Sequence, residues 1–110
     1  MRHPSTPEEL DNIMLSAGRK LVAVDFGATW CPPCKMIKPF FESLSSQFPD
    51  VIFVSVDIDQ LREHPLAADI MSVPTFKFFI GGNLMSTFSG AVQQQIVYAI
   101  QKYRPPSLPQ

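Results

Sequence analysis

Residues 21–35 read Leu21-Val22-Ala23-Val24-Asp25-Phe26-Gly27-Ala28-Thr29-Trp30-Cys31-Pro32-Pro33-Cys34-Lys35, and this stretch decides the fold. Its first six residues are apolar at both alternating positions except at Asp25, which is typical of a strand covered on both faces. After Cys31, apolar side chains recur at helical spacing, namely Met36, Ile37, Phe40, Phe41, Leu44 and Phe48. The stretch therefore predicts a central strand followed by a long helix that begins at the cysteines.

An amphipathic helix is predicted before this strand. Thr6 can cap its amino end, Pro7 suits the first helical position, and Glu9 completes a capping box. Gly18 then ends the helix.

The second half of the chain predicts two further helices, a second apolar strand and a hairpin. The strand is 51–56, and 60–70 is a weaker helical stretch interrupted by Pro65. Gly81-Gly82 between two β-prone runs, 75–80 and 84–89, suits a tight turn. A closing helix around Ile96 and Ile100 ends at Pro105-Pro106. The order αβαβαββα predicts an α/β fold with a mixed central sheet and helices on both faces.

Length and composition limit the classes of protein that fit. The 110 residues suit a single domain, 1–110, whose last residues, 105–110, are expected to form a loose tail. A net charge of −1 offers no basic excess for a nucleic acid partner. No run of about 20 apolar residues could span a membrane. The amino terminus lacks a basic segment followed by an apolar stretch, so we expect a soluble, cytoplasmic protein.

Cys31 and Cys34 are the two cysteines of the chain. At a helix start this spacing lets the sulfurs close a small ring reversibly. The unpaired N–H groups and the dipole there favour a negative sulfur on Cys31 by about 1 kcal/mol, which lowers the pKa of that thiol below its ordinary value of about 8.5. The same spacing could instead supply two of the four ligands of a zinc site. His3 and His64 are isolated in the sequence, so no metal site is expected within one chain. A site shared between two chains stays open.

Two other residues, Asp25 and Pro74, break the pattern of the sequence around them. If Asp25 is buried, desolvation raises its pKa toward neutrality and suits it to proton transfer; if not, it pairs with Lys35 or Lys38, and the sequence does not choose between these. Pro74 lies immediately before a predicted strand and by itself indicates only a turn.

The string Val24–Lys35 resembles the thioredoxin family, and the likeness continues through Val73-Pro74-Thr75 and Phe88-Ser89-Gly90-Ala91. The resemblance implies the thioredoxin fold and a protein thiol–disulfide oxidoreductase. It implies that Cys31 is an exposed nucleophile that attacks target disulfides, that Cys34 is the buried thiol that resolves the mixed disulfide, and that Asp25 assists deprotonation of Cys34.

The same resemblance implies a flat apolar docking surface for substrates, with a cis bond at Pro74 beside the sulfurs. Its expected residues are Trp30, Pro33, Val73, Pro74, Gly90 and Ala91. Partners would be disulfide-containing target proteins and thioredoxin reductase, with a peroxiredoxin as a further candidate. Reducing equivalents would come from NADPH through that flavin-dependent reductase, so no cofactor is expected on this chain.

Three residues depart from the usual family pattern. Most members carry Gly at the position of Pro32, and Cys-Pro-Pro-Cys is better known from tryparedoxins and nucleoredoxins. Two prolines leave only the N–H groups of Cys34 and Lys35 to serve the Cys31 thiolate. Gly27 stands where many members carry Trp and others a small residue, and Ser55 stands where a Lys or Glu often lies near the buried acid.

Two other classes of function stay open at this point. One is a thioredoxin-fold binding or scaffold subunit, in which turnover is incidental. The other is an electron donor dedicated to a peroxidase, like the Cys-Pro-Pro-Cys relatives.

Overall fold

Four strands form one mixed sheet in the computed structural model, which describes residues 1–105. The helices are α1 (Pro7–Ser16), α2 (Pro32–Gln47), α3 (Pro65–Ala68) and α4 (Gln93–Tyr103), and the strands are β1 (Val22–Gly27), β2 (Ile52–Asp57), β3 (Thr75–Ile80) and β4 (Asn83–Ser89). The sheet order is β2-β1-β3-β4, with β1 parallel to β2 and antiparallel to β3, and β3 antiparallel to β4. The predicted element order and the central place of β1 are confirmed.

Both faces of the sheet are covered, because alternate residues of β1 point to opposite sides. Leu21 and Ala23 belong to a core that includes residues of α2 and α4, such as Phe41 and Ile96. Val22, Val24 and Phe26 belong to a second core with residues of α1 and α3. Asp25 has the parity of Ala23, so it faces the side of the sheet on which α2 lies.

The start of α1 follows the sequence prediction except in one bond. The Thr6 hydroxyl accepts the Glu9 N–H at 3.2 Å, as an N-cap should. The Glu9 carboxylate, however, accepts from the Ser5 N–H at 2.9 Å and not from Thr6, so the reciprocal half of the predicted capping box is displaced by one residue.

The β3–β4 hairpin forms through Gly81 and Gly82, as predicted. Their φ angles of 58° and 80° lie in the left-handed region that a tight two-residue turn needs and that glycine adopts without a steric penalty.

The prediction of a weak helix over 60–70 was wrong. Only one turn, Pro65–Ala68, is helical, and Pro65 begins it instead of interrupting it. The His64 ring accepts the Leu66 N–H at 3.0 Å as the cap of this turn. Proline has no N–H to bond backward, so it fits the first position of a helix and not its middle.

Residues at the amino terminus extend the sheet, which the sequence pattern did not predict. Arg2 bridges to Val54 in the parallel sense: its N–H donates to Phe53 O at 2.9 Å and its carbonyl accepts from Ser55 N at 2.8 Å. The bridge covers the outer edge of β2. The next two residues, His3 and Pro4, line the same cavity as Asp25 of β1. The predicted tail, 105–110, lies outside the described residues except for Pro105. Within residues 1–105 no helix is long and apolar enough to cross a bilayer.

Candidate active site

Cys31 is the N-cap residue of α2. Its φ and ψ of −101° and 109° are extended, which is the conformation favoured before a proline, and Pro32 and Pro33 then occupy the first helical turn. Cys31 Sγ accepts a hydrogen bond from the Cys34 N–H at 3.2 Å, whereas the Lys35 N–H bonds to the Cys31 carbonyl at 3.2 Å. Of the Cys34 and Lys35 N–H groups expected to donate to Cys31 Sγ, only that of Cys34 does so.

The two cysteines form a disulfide in this structure, with their Cα atoms 5.3 Å apart. The prediction that they lie within bonding reach is confirmed. The expected contrast in exposure is wrong, because Cys31 is 3% exposed and Cys34 is 7% exposed. Ala28 is buried in one cluster with the two cysteines, and Ile58 and Val73 pack against that cluster.

Asp25 is a buried acid, which decides between the two alternatives that the sequence left open. It is 3% exposed, its Oδ1 has no hydrogen-bond partner, and it forms no ion pair with Lys35 or Lys38. Burial raises the pKa of the Asp25 carboxyl to about 7, against a smaller lowering by the positive charge of Lys38. A carboxyl with this pKa can both accept and donate a proton near neutral pH.

A cavity of about 510 Å³ opens behind the disulfide, beside Asp25. It is lined by residues of the amino-terminal segment, of β1 and the loop after it, of the first turns of α2, and of β2 and the turn after it: His3, Pro4, Asp25, Gly27, Ala28, Thr29, Cys34, Lys35, Lys38, Ser55, Val56, Asp57 and Gln60. Ser55 is the register partner of Asp25 on the parallel strand β2. Cys34 borders this cavity and Cys31 does not.

Gly27 forms the wall of the cavity next to Cys34. A Cβ atom at this position would lie 3.4 Å from Cys34 Sγ and 3.7 Å from Asp25 Oδ1. The missing side chain therefore leaves the sulfur of Cys34 and the carboxyl of Asp25 facing the same space.

Trp30 and Pro33 lie on the outer surface next to the disulfide. Trp30 is 64% exposed, which confirms the expectation that this aromatic residue is not part of the core. Its indole Nε1–H donates to Asp59 Oδ2 at 2.9 Å, and this hydrogen bond is the main cause that holds the pKa of Asp59 below its usual value. Asp59 itself contacts Arg62 at 2.8 Å. Pro33 is exposed.

The loop before β3 reaches the disulfide from the other side. The Val73–Pro74 peptide bond is cis, as the resemblance implied. The carbonyl oxygen of Val73 lies 3.7 Å from Cys31 Sγ, and the Pro74 carbonyl accepts the Gly90 N–H at 2.9 Å. This bond ties the loop to Gly90 and Ala91, both half-buried. Pro74 is buried, so among these predicted contact residues it is the least accessible to a partner.

Lys77 of β3 holds α3 and its C-cap residue Asp69 against the sheet, a role that the sequence pattern did not predict. It is 6% exposed in β3, and its Nζ donates to Leu66 O at 2.9 Å and to Asp69 Oδ1 at 2.7 Å. The same ammonium lies 5.4 Å from the centre of the Phe26 ring. A charged residue in an apolar strand was the available signal, as it was at Asp25.

Within residues 1–105, no group of three or more His, Cys, Asp or Glu side chains could hold a metal ion. The buried His64 is instead held by protein groups, since its Nε2 contacts Asp11 Oδ1 at 2.7 Å and its Nδ1 caps α3.

A cysteine pair at the start of a helix, beside a buried carboxyl and a cis-proline loop, defines a dithiol–disulfide oxidoreductase. The sequence profile of the thioredoxin family matches residues 3–102. Thioredoxin of Ophiophagus hannah is 46% identical over 80% of this chain and 84% of its own length. Thioredoxin of Ovis aries is 48% identical over 79% of this chain and 83% of its own length.

Solved structures agree with this assignment. The X-ray structure of Fasciola hepatica thioredoxin superposes with a TM-score of 0.90 at 34% identity, covering 94% of this chain and all of the other. Thioredoxin NaTrxh from Nicotiana alata gives a TM-score of 0.89 at 30% identity over 94% of this chain and 92% of its own. The chain belongs to the thioredoxin family and is a thiol–disulfide oxidoreductase.

Proposed function

We propose that the protein works mainly as a reductant of disulfides in target proteins, with Cys31 as the attacking thiol and Cys34 as the resolving thiol. The observation that carries this assignment is the position of Cys31 Sγ, which caps α2 and accepts the Cys34 N–H at 3.2 Å. A thiolate there is stabilised by the helix N-terminus and is the better nucleophile of the pair at neutral pH.

The reaction consists of two displacements at sulfur. The Cys31 thiolate attacks one sulfur of the target disulfide, a mixed disulfide forms, and the second target sulfur leaves as a thiolate. Cys34 then loses its proton and attacks Cys31 Sγ, which restores the Cys31–Cys34 disulfide and releases the first target sulfur as a thiolate. The target gains two electrons and this protein loses them.

Asp25 is the group proposed to take the proton of Cys34. Its unpartnered Oδ1 and Cys34 Sγ border the same cavity, and its pKa of about 7 matches an acceptor that must also release the proton again. Ser55, opposite Asp25 on β2, brings no charge that would compete for this role.

The target is proposed to dock on the surface formed by Trp30, Pro33, Val73, Pro74, Gly90 and Ala91. Val73 offers its backbone to an extended target segment, since its carbonyl oxygen is 3.7 Å from Cys31 Sγ. Trp30, exposed and oriented by Asp59, supplies apolar contact beside the sulfur.

Cys31 must become accessible for this chemistry, because it is 3% exposed in the disulfide form. Val73 packs against the pair and is only half-buried. A small displacement of this neighbour on docking is the proposed route of access.

We further propose that the oxidised form is recharged from NADPH by a flavin-dependent thioredoxin reductase, and that the protein works in the cytoplasm. A peroxiredoxin is a candidate target. Comparing reduction by such a reductase with reduction by a small thiol separates a general reductant from a donor dedicated to one peroxidase.

The test is reduction of an insulin-type protein disulfide with dithiothreitol as electron source. We expect Cys31→Ser to lose activity, and we expect Cys34→Ser to trap mixed disulfides joined through Cys31. Ser16→Ala, an exposed change in α1, is the matched control and should keep full activity. Full activity of Cys31→Ser would refute the assignment, and a wild-type chain that shows no dithiol–disulfide cycling but co-purifies with one stable partner would favour a scaffold.

A further inference from the structure

We propose that His64 is a proton-sensitive positioning residue for target binding, because it holds the peptide of Leu66 at the start of the segment that carries Val73 to the disulfide. This inference rests on the proposed function, in which a target docks against the backbone of Val73. It adds a residue outside the docking surface that positions this backbone, and it implies that a second proton on the His64 ring loosens the support of Val73.

The peptide of Leu66 is held from both sides by buried side chains of different elements. Its N–H donates to His64 Nδ1 at 3.0 Å, and its carbonyl accepts from Lys77 Nζ at 2.9 Å. His64 is 5% exposed and Lys77 is 6% exposed. His64 also contacts α1, since its Nε2 lies 2.7 Å from Asp11 Oδ1. The two side chains therefore fix one peptide of α3 between α1 and β3.

The chain runs from α3 into the loop that reaches the disulfide, where the Val73 carbonyl lies 3.7 Å from Cys31 Sγ. The side chains of Met71 and Ser72 in this loop are exposed, so the loop is positioned mainly from its two ends. One end is fixed to β3, where Thr75 Oγ1 donates to the Ser72 carbonyl at 2.6 Å. The other end is α3, so a displacement of α3 is transmitted toward Val73.

The hydrogen bonds of His64 show which ring nitrogen carries the proton in the neutral side chain. A backbone N–H can only donate, so Nδ1, which accepts from Leu66, is the unprotonated nitrogen. Nε2 therefore carries the hydrogen and donates it to Asp11 Oδ1. Histidine is the side chain that exchanges a proton in the physiological pH range, and here a second proton can go only to Nδ1.

A proton on Nδ1 removes the cap of α3. Two donors, the Nδ1–H and the Leu66 N–H, would then face each other across the 3.0 Å of the former hydrogen bond. The ring is 5% exposed, so the new N–H group cannot simply turn to water. Because α3 is a single turn, Pro65–Ala68, it depends on such tertiary contacts to keep its shape. The peptide of Leu66 then keeps its contact with Lys77 and loses the one with His64.

The charged groups near His64 act on this second proton in opposite directions. Asp11 on α1 favours it, because a carboxylate in contact with the ring stabilises the charged form. Lys77 on β3 opposes it by like charge, although Asp69 pairs with that ammonium at 2.7 Å. The other charged side chains close to them in the sequence are exposed: Glu8, Arg62 and Glu63. Asp11, in direct contact, is therefore the group whose removal should shift protonation most.

The first test follows the oxidised wild-type protein by nuclear magnetic resonance across pH and needs no variant to fold. Ring nitrogen shifts report the tautomer and protonation of His64, and amide shifts report Leu66 and Val73. We expect the Nε2–H tautomer at neutral pH, and we expect both amides to titrate with the midpoint of the His64 ring. The opposite tautomer, or a Val73 amide that does not follow His64, would overturn the inference.

Asp25 also titrates in this range, because burial raises its pKa to about 7, so a variant must separate the two groups. His64→Asn does so, since asparagine is among the favoured N-cap residues and does not titrate. We expect the Leu66 amide of this variant to lose its titration and the Val73 amide to keep only the component that follows Asp25. A component with the former His64 midpoint that persists in this variant would contradict the inference.

Asp11→Asn keeps a hydrogen-bond acceptor for the His64 Nε2–H and removes the negative charge. Because the carboxylate favours the protonated ring, we expect the titration of His64 and of the Leu66 amide to move together to lower pH. A shift of the ring without the amide would show that the two are not linked and would overturn the inference.

The last test separates target binding from sulfur chemistry at neutral pH, by steady-state reduction of insulin with dithiothreitol. We expect His64→Ala, which lacks the cap, to raise KM about fivefold with kcat unchanged, the factor that corresponds to a cap of about 1 kcal/mol. His64→Asn should restore the wild-type KM. Reduction of a small disulfide, dithiobis(nitrobenzoate), should be equal in all three chains, because it needs no contact with the Val73 backbone.

The outcomes distinguish this inference from the proposed function. An unchanged KM in His64→Ala, or equal losses in His64→Ala and His64→Asn, would overturn the positioning role and leave the proposed function intact. Failure of the wild-type chain to reduce insulin would instead refute the proposed function itself.

Discussion

The N–H group of Cys34 donates to the sulfur of Cys31 across 3.2 Å, so the backbone of the second cysteine stabilises negative charge on the sulfur of the first. The bond is a helix-cap interaction in which sulfur replaces the usual side-chain oxygen. It follows from the position of the first cysteine, one residue before α2 begins. With prolines in the next two positions, Cys34 carries the nearest N–H of the helix that can reach this sulfur.

Removing the buried carboxyl should stabilise the protein at alkaline pH. The pKa of Asp25 is about 7 in the folded chain against an ordinary value of 3.8, so the folded state holds a proton that the unfolded state has lost between these pH values. Stability therefore falls as pH rises from about 4 to about 7, and the full cost, about 4 kcal/mol, is present above that window. Asp25→Ala should recover most of it at pH 8 and little at pH 4.

Urea unfolding of both chains at several pH values measures this difference. A variant that is equally stabilised at pH 4 and pH 8 would show that the gain does not come from the ionised carboxylate. The same variant should resolve mixed disulfides more slowly near neutral pH, since Cys34 would lose its proposed proton acceptor.

Trp30→Ala should weaken target binding more than it slows the chemistry. An exposed Trp at the centre of a docking surface typically contributes about 2 kcal/mol, which corresponds to a rise of roughly 30-fold in the KM for a protein disulfide. Asp59→Asn, which removes the charged acceptor of the indole N–H, should raise KM in the same direction but by less. Steady-state kinetics with insulin separate KM from kcat, and a fall in kcat alone would contradict a docking role.

Lys77 and Asp69 should show coupling in a double-mutant cycle. Lys77 is a buried residue, 6% exposed, and Asp69→Ala leaves its ammonium with the Leu66 carbonyl as the remaining hydrogen-bond partner, so we expect a loss of about 1–2 kcal/mol. Replacing the lysine as well, with Lys77→Met and Asp69→Ala together, should restore most of that loss because the buried charge is gone. Denaturant midpoints measure all four chains, and strictly additive effects would contradict the pairing.

The cap of α1 offers a smaller and cleaner test. Thr6→Ala removes the hydroxyl that accepts the Glu9 N–H and should cost about 1 kcal/mol. Thr6→Ser keeps the acceptor and should cost little. Equal losses in the two variants, measured by thermal unfolding, would show that the methyl group and not the hydrogen bond matters.

The strands, the hairpin and the three longer helices could be predicted because each has a local cause: a periodic apolar face, the Thr6 cap, or a Gly81-Gly82 turn. The bridge at Arg2 could not, since it depends on an edge of β2 that exists only in the folded sheet. The error at 60–70 came from reading Pro65 as an interruption when it begins a single turn.

The active site likewise has features that could be predicted from the sequence and features that could not. The cysteine spacing and the helix start fixed the chemistry, and the resemblance supplied the roles. The burial of Cys31, the choice between a buried and a paired Asp25, and the contact of Gly27 with Cys34 are all relations between distant elements, which a sequence pattern does not contain.

The central claim is that the helix cap makes Cys31 the reactive thiol of the pair. Its most direct test is the pH dependence of alkylation of the reduced protein, followed separately for each cysteine by mass spectrometry. We expect Cys31 to react first, with a midpoint below the ordinary thiol value of about 8.5. Equal rates for both cysteines with midpoints at or above that value would contradict the account.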